Sequence, residues 1–167
     1  RWHRMRDRCR VYRRSDRRGG PHKLLISMPV LDLETMIKAP AEICFDLLRD
    51  KRVHSGTVWH IDGEAGVGQT VRFESKYPLS REIKLVVVEY DRPLRLVDEM
   101  TQGPFSSFRH EHEFSPLNDG TLMKDHVVWT SRIGSVGVLA DSLFVKQYLK
   151  NLVRGRNHRL KQIAEGS

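Results

Sequence analysis

Two histidines and one aspartate are the side chains whose types and spacing could do chemistry together in this sequence. His110 and His112 alternate on a predicted strand and therefore share one face, and Asp125 lies on the next predicted strand. A carboxylate bonded to an imidazole orients the ring as a general base. The three residues are therefore candidates for catalysis, and the alternative is a buried His/Asp cluster that only satisfies its own hydrogen bonds.

A β-hairpin is predicted to bring these side chains together. Residues 105–114 and 122–131 both show strand alternation, and residues 116–120 between them contain Pro, Asn, Asp and Gly. If the inward faces of the two strands coincide, the register follows from the pattern. The expected pairs are Phe114 with Met123, His112 with Asp125, His110 with Val127 and Phe108 with Trp129.

Metal binding and cofactor chemistry find little support in the motifs. His110 and His112 could bind a metal ion, but no third ligand other than Asp125 and no open-site motif accompanies them. The sequence contains no Gly-rich phosphate loop, no GxSxG motif and no carboxylate pair of glycosidase type. We therefore expect no metal, no cofactor, no nucleotide-dependent reaction and no triad hydrolysis.

The elements around the hairpin predict an α+β domain. A strand over residues 30–37 ends before Pro40, a short helix containing Ile43 and Leu47 follows, and residues 53–68 should form a short helix or loop. Further strands run to Met100, and a final helix of about 40 Å is expected over residues 136–164. Its predicted apolar stripe is Leu139, Leu143, Leu149, Leu152, Val153, Leu160 and Ile163.

The net charge of +8 belongs to the first residues of the chain. Residues 1–27 hold nine Arg, one Lys and two Asp, whereas residues 28–167 hold equal numbers of basic and acidic groups. We expect residues 1–27 to be a disordered basic tail, and either a leader or a segment upstream of a true start at Met28. The alternative is an arm that binds nucleic acid or anionic membranes. The balanced segment 28–167 predicts no stable nucleic-acid partner.

The remaining composition is that of one globular domain. Hydrophobic residues make up 39% and charged residues 30% of the chain, and no apolar run is long enough to span a bilayer. Cys9 and Cys44 lie in unrelated surroundings without metal-ligand spacing. Low cysteine use and the lack of a secretory pattern favour a cytoplasmic location.

Several motifs together resemble the SRPBCC (START/birch-pollen-allergen-like) superfamily, and most closely its small bacterial cyclase/dehydrase-like members. The similarity covers nearly all of residues 28–167. Its motifs are APAEICFD at 39–46, YDRPLRLVDEM at 90–100, GPFSSFRHEHEF at 103–114, GTLMKD at 120–125, ADSLF at 140–144 and RN at 156–157. The resemblance implies a helix-grip fold, in which a curved antiparallel sheet wraps around a long C-terminal helix and short helices follow the first strand.

The resemblance also implies a hydrophobic cavity between the sheet and the last helix, used in the superfamily for sterols, lipids, plant hormones and polyketides. Residues 52–68, which usually help to form the cavity mouth, are shorter here than in such relatives. Aromatic and sulfur-containing residues on inward faces are either cavity walls or plain core. The expected ligand-binding residues are Phe45, His54, Trp59, Phe73, Phe108, His110, His112, Met123, Val127, Trp129 and Tyr148.

Three functions remain open. The first is binding of a lipid, isoprenoid or polyketide-like molecule, and the second is a cyclase/dehydratase using His110 or His112 with Asp125. The third is nucleic-acid or anionic-membrane binding through the Arg-rich tail. A transient membrane contact is also expected near the end of the last helix, where Arg154, Arg156, His158, Arg159 and Lys161 cluster, although cations there also simply complement the helix dipole.

Overall fold

The computed structural model describes residues 28–54, 59–75, 81–131 and 138–166. The predictions for the basic tail therefore lie outside the described residues. The helices are α1 (Ala41–Leu47), a 3₁₀ helix (Lys51–His54) and α2 (Val138–Ala164). The strands are β1 (Val30–Ile37), β2 (Trp59–Asp62), β3 (Thr70–Ser75), β4 (Arg81–Asp91), β5 (Arg95–Gln102), β6 (Phe105–Leu117) and β7 (Gly120–Ser131).

The seven strands form one curved antiparallel sheet in the order β1-β7-β6-β5-β4-β3-β2. Consecutive strands from β2 to β7 are neighbours, and β1 closes the other edge by pairing with β7. The long helix α2 packs on β1, α1 and the 3₁₀ helix. This arrangement confirms the α+β helix-grip architecture expected from the sequence.

The predicted hairpin register is confirmed. His112 pairs with Asp125, and the other three expected pairs also occur in the ladder between β6 and β7. Asn118 and Asp119 form the tight turn between Leu117 and Gly120. Because side chains alternate along a strand, this register places both histidines and Asp125 on the inward face that α2 covers.

Three apolar clusters pack on the inward face. The base cluster joins α1 and the 3₁₀ helix to one end of the strands and includes Phe45, Val53, Leu96, Phe114, Met123 and Leu160. The helix-side cluster joins β1 and β7 to α2 and includes Leu31, Val127, Trp129, Val145, Leu149 and Val153. The sheet-side cluster consists of Val71, Ile83 and Leu85 with half-buried neighbours on β2, β3 and β5.

The predicted stripe of α2 is partly wrong. Leu143 is 69% exposed and Leu152 is 42% exposed, whereas Val145 and Leu149 are buried with Val153 and Leu160. The inward face of α2 carries two polar residues, Arg156 and Asn157. A stripe drawn through apolar residues alone omits these two positions and includes exposed leucines instead. Leu139 has no described side chain. Within the described residues, no helix is long and apolar enough to cross a membrane.

Candidate functional site

Asp125 is the centre of a buried hydrogen-bond network. Its Oδ1 accepts from His110 Nε2 at 2.9 Å, from His112 Nδ1 at 2.8 Å and from Arg156 Nη2 at 2.5 Å. Its Oδ2 accepts from Asn157 Nδ2 at 2.6 Å. The carboxylate is 0% exposed, and charge-assisted bonds of this kind compensate for the loss of water.

The network forms a polar layer between apolar clusters, and we define this layer as Asp98, His110, His112, Asp125, Arg156 and Asn157, all of which are buried. On β7, Asp125 lies between Met123 of the base cluster and Val127 of the helix-side cluster. On α2, Arg156 and Asn157 lie between Val153 and Leu160 in the same way. The sheet and helix therefore place their polar residues at one level.

Arg156 and Asn157 lock α2 against the sheet. Arg156 donates to Asn157 Oδ1 from Nε at 3.0 Å and from Nη2 at 2.7 Å, which orients the guanidinium toward Asp125. Asn157 Nδ2 also donates to Thr35 Oγ1 on β1 at 3.0 Å. The expected membrane cluster near the end of α2 is thus partly wrong, because Arg156 points into the protein.

His112 lies between two carboxylates. Its Nδ1 bonds to Asp125, and its Nε2 lies 3.7 Å from Asp98 Oδ2. The side chain of His112 is 2% exposed. Asp98 also faces Arg49, with Nη2 3.6 Å from Oδ1, a distance too long for a hydrogen bond. His112 therefore connects Asp125 to Asp98 of β5, and its Nε2 faces that carboxylate.

His110 has a ring nitrogen that the network does not use. Its Nε2 bonds to Asp125, whereas its Nδ1 has no hydrogen-bond partner among the described residues. The ring meets Phe108 edge-on, with centroids 6.3 Å apart, at the boundary with the apolar clusters. Because an ionised carboxylate can only accept, Nε2 carries the proton and Nδ1 presents a lone pair.

Burial and neighbouring charges set the protonation of the layer. Burial alone would raise the pKa of Asp125, but Arg156 and the two histidines hold that pKa well below its usual range. The pKa of Asp98 is likewise lowered, since His112 and Arg49 outweigh the effect of burial. Burial and then the proximity of His112 lower the pKa of His110 to about 3. The His110 ring is neutral near pH 7.

The layer also has the composition of a metal site. His110, His112 and Asp125 offer ligand atoms that lie within 4.8 Å of one another. However, the guanidinium of Arg156 already supplies positive charge to the carboxylate oxygen that both histidines share. A metal ion at that oxygen would lie beside a buried cation, so the donor set fits hydrogen bonding better than metal binding.

The expected mouth residues lie in separate places. His54 ends the 3₁₀ helix and donates from Nε2 to the carbonyl of Leu48 at 2.8 Å, and burial lowers its pKa to about 4. Neighbouring Val53 accepts from Arg159 of α2 at 2.8 Å. Trp59 begins β2, but its side chain lies outside the described set. Contact of either residue with a ligand stays a prediction.

The other expected ligand-binding residues divide among the three clusters. Phe45 and Met123 belong to the base cluster, below the polar layer. Val127, Trp129 and Tyr148 belong to the helix-side cluster, Phe73 to the sheet-side cluster, and Phe108 to both. Residues of the base cluster are therefore buried core, and residues of the other two clusters, on the opposite side of the polar layer, are candidate walls of a ligand site.

Asp98, Arg49, Arg156 and Asn157 were not identified as site residues from the sequence. The available signal was the position of Asp98 between Leu96 and Met100, which places it on the inward face of β5. Glu99 points to the outer face, where it bonds to Arg109 at 2.6 Å. Arg109 also bonds to Glu111, so ion pairs occupy the outer face of β6.

The chain belongs to the family described as polyketide cyclase / dehydrase and lipid transport, whose model matches residues 28–165. This match confirms the resemblance to the SRPBCC superfamily. No protein of curated function matches the chain. The family contains enzymes as well as carriers, so membership leaves the function of the polar layer to be argued from its geometry.

Solved structures with the same fold include enzymes of aromatic biosynthesis. The di-domain ARO/CYC StfQ from the steffimycin pathway matches with a TM-score of 0.70 and 13% identity over 83% of this chain, which spans about half (52%) of StfQ. The Zhui aromatase/cyclase from Streptomyces sp. R1128 gives 0.69 and 13%, covering 83% of this chain and 94% of Zhui. Truncated norcoclaurine synthase from Thalictrum flavum gives 0.63 and 13%, covering 82% and 93%. At 13% identity, the TM-scores show a shared fold and nothing further.

Proposed function

We propose that this protein binds an apolar small molecule between the inward face of the sheet and the N-terminal half of α2. The observation that carries the proposal is the separation of the helix-side and sheet-side clusters, which share only Phe108 among the described residues. Two apolar clusters on the inward side of the sheet that meet at a single half-buried side chain are the arrangement that an apolar guest between them requires. A lipid, isoprenoid or polyketide-like molecule has this chemistry.

The exposure of the inward side chains supports this position. Phe73, Met100 and Phe108 on the sheet are only half-buried, although they pack on the inward clusters, and so is Tyr148 on α2. Each square ångström of apolar surface that a ligand covers contributes roughly 25 cal/mol. The proposed walls are Phe73, Met100, Phe108 and Tyr148, and the buried Val127 and Trp129 pack behind them, whereas Phe45 and Met123 support the base.

His110 gives the proposed site its polar contact. Its ring meets Phe108 edge-on, and Nδ1, which has no hydrogen-bond partner among the described residues, can accept a hydrogen bond from a hydroxyl or enol group of the ligand. Asp125 fixes the ring through Nε2, and Arg156 fixes Asp125. The site therefore favours an apolar molecule with one hydroxyl-type donor over a pure hydrocarbon.

A second candidate function is a cyclase or dehydratase in which the same His110 nitrogen removes a proton. The His–Asp pair and the fold shared with aromatase/cyclases favour this function. A general base works best when its pKa is near the working pH, and the pKa of His110 is about 3. The low basicity of His110 favours orientation of a ligand over proton transfer.

Native mass spectrometry of the full chain, followed by organic extraction, tests the binding function. We expect a co-purifying apolar molecule, and we expect Phe108→Trp to displace it by filling the space between the clusters. Leu94→Trp is the matched control, because Leu94 is 46% exposed outside the proposed site. An equal ligand content in all three proteins would contradict the site.

His110→Gln separates the two candidate functions once the ligand is known. Glutamine can still donate to Asp125 and accept from a ligand hydroxyl, so a binder should keep affinity within about tenfold. An enzyme should instead lose turnover while its affinity is retained. His112→Gln is a poorer test, because His112 joins two carboxylates and its loss would disturb the fold.

A further inference from the structure

The outer face of α2 carries cations that the fold does not use. Residues 143–164 contain six Lys and Arg and no acidic residue. Arg156, Arg159 and Lys161 are held by Asp125, Val53 and Met36. The other three, Lys146, Lys150 and Arg154, form no ion pair within the described part of the chain and follow one another at intervals of four residues.

These three cations lie on one edge of the helix, one above the other, because residues four apart share a helical face. Without acidic neighbours, they create a strip of uncompensated positive charge about 12 Å long. The helix dipole does not account for this charge, since it favours cations only in the last turn of a helix, and Lys146 and Lys150 lie far from the last turn of α2.

Two large apolar side chains precede the strip. Leu143 is 69% exposed and Phe144 is 56% exposed, whereas the inward residues of the same turns, Val145 and Leu149, are buried in the helix-side cluster. Apolar side chains next to a row of cations match the interface of an anionic bilayer, which offers acyl chains below phosphate and carboxylate groups.

We infer that α2 docks this protein on anionic membranes, with Leu143 and Phe144 entering the interface and Lys146, Lys150 and Arg154 contacting the headgroups. The partner is the lipid surface itself. In this orientation α2 lies between the bilayer and the helix-side cluster, which packs on the inward face of the same helix. The inference goes beyond small-molecule binding and does not depend on it.

The inference is tested in the full chain with a fluorescent label at a single site. A site-specific label is needed because the Arg-rich tail could bind anionic vesicles without any contact of α2. In a Cys9→Ser background, an environment-sensitive dye is attached at Leu143→Cys or at the control Val67→Cys. Leu143 and Val67 are both 69% exposed, and Val67 lies between β2 and β3, next to Gly68, which bonds to Val87 of the base cluster. Vesicles contain phosphatidylcholine with or without about one third phosphatidylserine.

We expect a blue shift at position 143 on the anionic vesicles only, and no shift at position 67. Co-sedimentation without a shift at either position would show tethering by the tail and would overturn the inference. Shifts at both positions, no association with vesicles, or a shift at 143 with RNA but not with vesicles would each overturn it as well.

Charge variants provide a second measurement. Replacing Lys146, Lys150 and Arg154 by Gln should raise the lipid concentration needed for half of the shift by about 100-fold, at roughly fivefold per cation. The matched control replaces Lys38, Lys51 and Lys84 by Gln, which removes the same charge from other surfaces. Equal losses in the two triple variants would show attraction by net charge alone and would contradict docking through α2.

Discussion

Arg156 of α2 and Asp125 of β7 form a buried ion pair, with Nη2 2.5 Å from the carboxylate oxygen that both histidines also use. The pair joins the last helix of the chain to β7, the strand between β1 and β6 in the sheet. Ion pairs in such surroundings add little over a well-packed apolar contact, but the loss of one partner leaves a buried charge. The main contribution of Asp125 to stability is therefore the negative charge that compensates the buried guanidinium of Arg156.

Replacing Asp125 by Asn should lower the free energy of unfolding by about 3–5 kcal/mol, because Arg156 would lose its anionic partner. Urea unfolding of both proteins measures this difference. Asp32→Asn is the matched control, since Asp32 is 73% exposed and its contact with His126 should contribute less than about 1 kcal/mol. Similar losses in the two variants would show that Asp125 is not structurally special.

The fold should begin to lose stability as the pH falls below about 6.5, before the carboxylates start to titrate. The folded pKa values of His110 and His54 are about 3 and about 4, against 6.5 in the unfolded chain. The unfolded state therefore binds more protons below pH 6.5, and each histidine removes up to about 1.4 kcal/mol per pH unit until its folded pKa is reached.

Urea midpoints at pH 7 and pH 5 measure this loss, and a His54→Gln, His110→Gln double variant should show a much smaller difference. Below about pH 4 the lowered pKa values of Asp98 and Asp125 add to the loss, because these carboxylates stabilise the fold only while ionised. A pH dependence that is unchanged in the double variant would contradict the buried neutral rings.

The phase of α2 can be tested with two leucines of the same helix. Leu160 is 0% exposed in the base cluster, whereas Leu152 is 42% exposed. Leu160→Ala should lower the free energy of unfolding by about 2–5 kcal/mol, and Leu152→Ala by less than about 1 kcal/mol. Comparable losses in thermal or urea unfolding would contradict this phase and would agree with the stripe expected from the sequence, which contains both leucines.

Two glycines should respond to alanine in opposite directions. A Cβ at Gly120, where φ is +144°, would lie 2.1 Å from the carbonyl oxygen of Ile37, so Gly120→Ala should cost about 2 kcal/mol or more. Gly155 lies inside α2 with room for a Cβ, and Gly155→Ala should add about 0.5–1 kcal/mol. Stabilisation at 120 or a loss at 155 would be inconsistent with these backbones.

The sequence was sufficient for the architecture and for the central hairpin. The alternation of apolar and polar residues identified the inward faces of β6 and β7. The short turn before Gly120 then left one register, in which apolar side chains face apolar side chains and His112 faces Asp125. The pairing of His112 with Asp125 followed directly. Local pattern and turn chemistry were enough because both strands belong to one hairpin.

The rest of the candidate site depends on contacts between distant elements. Arg156 and Asp98 look like surface charges in a sequence, because nothing local indicates that each meets a buried partner from another element. The distinction between His110 and His112 also required the structure. Only the position of Asp98 on β5 shows that the second ring nitrogen of His112 faces a carboxylate.

The polar layer divides the interior into two independent compartments. Sliding α2 by one turn would move Arg156 into apolar surroundings, so the layer fixes the height of the helix without help from the walls beyond it. Changes at Phe108, Trp129 or Tyr148 therefore leave the base cluster intact. Under the proposed function, substitutions at the half-buried Phe108 and Tyr148 would change ligand specificity while the packing below the polar layer is kept.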